Sequence, residues 1–87
     1  MTVTISYEPF EKLMVSLRND GLLTESDKLH YMIHKVAWTT GSELIGELGE
    51  VIKIIKKENP HSLSDDSKKN IRESMEIVKR VWPIFPE

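Results

Sequence analysis

Eighty-seven residues make one domain, and a chain this short buries only about 60–65% of its unfolded surface, so its stability margin is modest. The absence of cysteine excludes a disulfide framework and thiolate metal sites, and a net charge of −2 without a basic tail argues against nucleic acid as a partner. The opening MTVTISYEPF lacks a basic segment followed by an apolar run, and no apolar run reaches the roughly 20 residues of a membrane span. The expectation is a soluble, cytoplasmic protein with no membrane partner.

Along the chain, Val3, Ile5 and Tyr7 alternate with Thr2, Thr4 and Ser6, which predicts an extended N-terminal arm. A first helix follows from about Tyr7 to Asn19, capped by Ser6, with Pro9 in its first turn and Phe10, Leu13, Met14 and Leu17 as its apolar stripe. Asn19, Asp20 and Gly21 end it, Gly21 being suited to a left-handed cap. Thr24 and Asp27 predict a capping box for a second helix, with Leu29, Met32, Ile33, Val36 and Ala37 buried and Trp38 closing it.

Thr40 and Glu43 predict a capping box for a third helix, which runs to about Glu58 before Asn59 and Pro60 stop it. Ser62 or Ser64 caps a fourth helix, where Asp65 and Asp66 suit the positive helix end and Ile71, Met75, Val78 and Trp82 recur at helical spacing. Pro83 ends that helix, and Ile84 and Phe85 are expected to fold back as an extended tail. Short connections between four helices predict an all-α, compact antiparallel four-helix bundle over residues 1–87.

Within TTGSELIGELGE, residues 39–50, three glutamates share one stripe. At about 100° per residue, Glu43, Glu47 and Glu50 fall within an arc of about 60°, expected at the edge of the apolar face. Glu43 suits the helix dipole, but Glu50 lies too far from the end to gain much. Glu43 and Glu47 repel each other at i,i+4, by about 0.2–0.5 kcal/mol. Gly46 and Gly49 each cost roughly 0.8–1 kcal/mol against alanine and are expected to admit the close approach of another helix. The carboxylate row is a candidate surface for a basic partner, with Trp38 as a candidate anchor beside it; sealing the core is the competing role for Trp38.

His30 and His34, four apart in HYMIH, share a helix face and are weak candidates for one metal ion, which would need further ligands such as Asp27 or His61. Tyr31 stands where a metalloprotease helix carries its glutamate. Lys68, Lys69, Arg72, Lys79 and Arg80 have carboxylates within a turn, so Asp65 with Lys69 and Glu76 with Arg80 predict a self-neutralised face. The second and third helices resemble a helix-turn-helix in length, but a recognition helix carrying Glu43, Glu47 and Glu50 would repel phosphates. Without cysteine, a serine elbow or a phosphate-cradling loop, the chain is read as a non-enzyme with no cofactor.

The acidic helix GSELIGELGEVIKII, followed by a polar loop and the serine-capped LSDDSKKNIRESMEIV, resembles small α-helical bacterial immunity proteins. The nearest are the Maf-type proteins of polymorphic toxin systems, over residues 24–78. That resemblance implies a cytoplasmic protein that binds and neutralises a cognate toxin domain. A basic toxin domain would suit Glu43, Glu47 and Glu50. The glycine pair and the WPIFPE tail depart from that family's pattern. The alternative reading is a small regulatory or adaptor protein, with room for a homodimer, that binds another host or phage protein.

Overall fold

The computed structural model describes residues 7–38 and 40–85. Four helices follow in order: α1 Glu8–Asn19, α2 Leu23–His34, α3 Gly41–Glu58 and α4 Asp65–Val81. Each helix packs on its chain neighbours and α4 closes back on α1, while α1 and α3, and α2 and α4, stand diagonally apart. Paired contacts run antiparallel throughout. Arg18 meets Asp27 while Glu11 meets His34, and Asp20 meets Ser64 while Lys12 meets Asn70. The expected all-α antiparallel bundle is the fold. Residues 1–6 of the expected extended arm, with the Ser6 cap, lie outside the described residues, whereas Tyr7 is not extended: with φ −89 and ψ 1 it stands directly before α1, which starts without a side-chain cap.

The core forms where the apolar stripes converge. Phe10, Leu13 and Leu17 of α1, Leu29 of α2, Ile45, Leu48 and Ile52 of α3, and Val78 of α4 are fully enclosed. Each such side chain is worth about 1.5–3 kcal/mol of burial. On α2 the buried stripe is narrower than its sequence implies: Ile33 and Val36 are half-buried and Ala37 is exposed.

The turn from α1 to α2 explains a correction. Gly21 has φ +83, its amide donates to the Arg18 carbonyl, and the Leu22 amide donates to the Leu17 carbonyl. This pattern is a Schellman cap, which turns the chain sharply. Leu22 thereby lies directly before α2, which begins at Leu23 with no side-chain cap. The Thr24–Asp27 capping box does not form. Thr24 is already inside the first turn, and Asp27 instead accepts a 2.7 Å hydrogen bond from Arg18 Nη2. At the other end, Trp38 Nε1 donates to the Met32 carbonyl at 2.6 Å, satisfying an end-of-helix oxygen. The helix stops at His34, short of Val36 and Ala37.

The other caps follow the sequence. Thr40 Oγ1 accepts from the Glu43 amide at 3.1 Å, and Ser64 Oγ accepts from the Ser67 amide at 3.2 Å. One tie is long-range. The Asp20 carboxylate accepts from the Ser64 amide, Ser64 Oγ and Ser67 Oγ, so the end of α1 is fastened to the start of α4. Burial works against ionisation of Asp20, but the hydrogen bonds from Ser67 and Ser64 win and hold its carboxyl below the usual value.

Candidate functional site

The glycines of α3 mark where the end of α4 and the segment after it approach most closely. A Cβ built on Gly49 would lie 2.8 Å from Val78 Cγ1 and 2.9 Å from Phe85 Cζ, and one on Gly46 would lie 3.1 Å from Trp82 Nε1. Both glycines therefore accommodate the end of α4 and the segment after it. Their approach partner is a helix at Gly49, as expected, but an aromatic beyond the helix at Gly46. Trp82 Nε1 also donates to the Ser42 carbonyl at 2.8 Å, and Lys53 Nζ sits 5.7 Å from the Phe85 ring centre.

The buried face of α3 corrects the expected position of two of the three glutamates. Leu44, Ile45, Leu48, Val51, Ile52 and Ile55 are buried, and Gly49 is buried with them on the far flank. At about 100° per residue, the covered arc is centred nearly opposite Glu43 and Glu50. Glu43, Glu47 and Glu50 are all exposed; Glu43 and Glu50 stand on the outer face of α3, whereas Glu47, about 40° from the buried Val51, keeps the expected place at the margin. Among the described residues, the ion pairs are Lys12–Glu8, Arg18–Asp27 and His34–Glu11, and none involves these glutamates. Ile54 falls on the same stripe and is 49% exposed. Beside it lies a cleft of about 170 Å³ between α2 and α3, lined by Thr24, Lys28, Val51 and Ile54.

Trp38 is half-buried, packs against the core and spends its only donor on Met32. Its place is at the end of α2, and its exposed surface is partial. Among the other aromatics, Phe85 is packed against the core, whereas Tyr31 is 60% and Trp82 42% exposed. The tail is also not extended. The Phe85 amide donates to the Trp82 carbonyl, closing a turn that leaves Ile84 93% exposed.

His30 and His34 lie with ring centres 4.7 Å apart, but His34 Nε2 is engaged by Glu11 Oε1 at 2.8 Å. Asp27 is turned to Arg18. Among the described residues, no group of three or more histidine, cysteine, aspartate or glutamate side chains is placed to hold a metal ion. No described helix is long and apolar enough to cross a membrane. The pairs Asp65–Lys69 and Glu76–Arg80 do not form among the described residues, so the basic face of α4 is not neutralised by the contacts its sequence implies.

Sequence reasoning missed the partnership of tail and glycines, though a signal was present. Gly46 and Gly49 are three apart, and so are Trp82 and Phe85, the residues that fill them. No protein-family model, curated protein or solved structure matches this chain.

Proposed function

We propose that this protein is an interaction module, an immunity protein that binds and neutralises a basic toxin domain through the outer face of α3. The observation that carries this reading is the exposed row Glu43, Glu47 and Glu50, continued by Ile54, for which the fold has no use. Only Glu43 lies in the first turn, where a carboxylate gains from the dipole. Glu47 and Glu50 are neither buried nor ion-paired among the described residues. A carboxylate row steers a cationic partner and fixes its register, and Ile54 offers an apolar contact within the row. Occlusion of a toxin needs complementary surface and no chemistry, in keeping with a cytoplasmic, cofactor-free binding protein rather than an enzyme.

The second reading is a small regulatory adaptor, homodimeric or bound to another host or phage protein. It is favoured by the exposed Tyr31, Ile54 and Ile84, apolar side chains that a contact between copies would cover. Affinity capture from the producing cell at low and high salt separates the two. The immunity reading predicts one stoichiometric basic domain, weakened by salt and lost with Glu43→Lys/Glu47→Lys/Glu50→Lys. Recovery of only the protein itself, or of a regulator indifferent to those substitutions, would favour the adaptor.

A further inference from the structure

The C-terminal part of α3, together with α4, forms a groove of about 630 Å³ floored by Pro60, Leu63, Ile71 and Met75. A contiguous cavity shares Lys56, Pro60, Ile71 and Met75 and extends the groove along α3 to Ile52, Lys53, Ile54 and Lys57. Its rims are basic on both sides: Lys53, Lys56 and Lys57 from α3 face Lys68, Arg72 and Lys79 from α4, and the one carboxylate lining it is Glu76. Lys56, Lys57, Lys68 and Arg72 are exposed and make no ion pair with a described residue. A chain with net charge −2 thus concentrates cations along one groove while its carboxylate row faces elsewhere.

We propose that this groove is a docking site for an acidic amphipathic helix of another protein, about three turns long. Length comes from the rim. Lys68 to Lys79 spans eleven helical steps, about 16 Å. Conformation comes from the fold: the described residues contain no strand and so no sheet edge to extend, whereas two antiparallel helices offer a groove that receives a third. Chemistry comes from the walls. Leu63, Ile71 and Met75 are largely covered already, so the remaining apolar contact comes from Ile54, Pro60 and the aliphatic stems of the lysines. Met75 adapts to the ridge laid on it. An occupant with leucine-like residues on its inner ridge and Asp or Glu on both flanks satisfies the floor and both rims together. A featureless polyanion would satisfy the rims alone.

This surface shares Ile54 with the glutamate row but contains none of Glu43, Glu47 and Glu50, so variants of the charged residues test the two proposals separately. The test uses the full chain and a labelled helical peptide with leucines at i, i+3, i+4 and i+7 and glutamates flanking them. Comparators are the same peptide with lysine for glutamate, polyglutamate of equal charge, and vesicles of phosphatidylglycerol and phosphatidylcholine. Saturable binding of the acidic peptide is expected, with amide shifts confined to residues 52–63 and 68–79. Affinity should fall about tenfold or more in Lys56→Glu/Arg72→Glu and in the milder Lys56→Gln/Arg72→Gln. Lys35→Glu, on the diagonally opposite α2 side, should leave it unchanged. Equal binding of polyglutamate, preference for vesicles over peptide, shifts outside the groove, or indifference to both double variants would each overturn the proposal. So would the absence of saturable peptide binding.

Discussion

Replacing Gly49 by alanine tests the close packing of α3 against the end of α4. In an exposed helix interior the change would stabilise by about 0.8–1 kcal/mol, because alanine restricts the unfolded chain and favours the helix. Here the new Cβ would sit 2.8 Å from Val78 Cγ1 and 2.9 Å from Phe85 Cζ. Phe85 lies beyond α4 and can swing away, but Val78 is fully buried and β-branched. Overpacking of this kind costs about 1–3 kcal/mol, so the net expectation is a loss near 1 kcal/mol. At Gly46 the nearest atom is the indole nitrogen of the exposed Trp82, at 3.1 Å. A shift of a few tenths of an ångström suffices there, and Gly46→Ala should be nearly neutral. Urea unfolding followed by helical circular dichroism measures both. Combining Gly49→Ala with Val78→Ala should cost less than the two losses added, by at least about 0.5 kcal/mol. A Gly49→Ala variant more stable than wild type, or strict additivity with Val78→Ala, would refute the close approach.

Three further outcomes follow from particular side chains. The buried Ser74 Oγ has no hydrogen-bond partner among the described residues, so Ser74→Ala should raise stability by about 1 kcal/mol in the same unfolding measurement; a loss of that size would reveal a partner. Folding lowers the pKa of Asp20 from 3.8, so its ionised form contributes stability above that pH, and the contribution drains away as pH falls through the lower folded value. Unfolding series between about pH 6 and pH 2 should show a shallower acid loss for Asp20→Asn than for wild type, and parallel curves would contradict the tie to Ser64 and Ser67. Thr40→Ala removes the acceptor for the Glu43 amide and should cost about 1 kcal/mol, whereas Thr24→Ala, which caps nothing, should cost far less; equal losses would contradict the observed start of α2.

What the sequence conveyed depended on how local the physics was. Thr40, Ser64 and Gly21 act through neighbours within a few residues, so their roles were readable directly. The apolar stripes of α1, α3 and α4 were likewise readable from the 3.6-residue period. Thr24 and Asp27 misled because a capping signature records only what a side chain is able to do. The Schellman turn had already started the helix, and Arg18 claimed the aspartate. The cover over the glycine flank of α3 was illegible for a different reason. It depends on Trp82 and Phe85 covering a flank that two glycines made to look polar. The basic groove escaped notice because its two rims are contributed by different helices, and each alone reads as an ordinary solvated face.

The most direct test of the central claim is growth of cells expressing the captured basic domain together with this protein. Wild type should restore growth, and Glu43→Lys/Glu47→Lys/Glu50→Lys, expressed to the same level and equally helical, should not. Growth that wild type fails to restore would contradict neutralisation, and growth restored equally by both would contradict the outer face of α3 as the surface responsible.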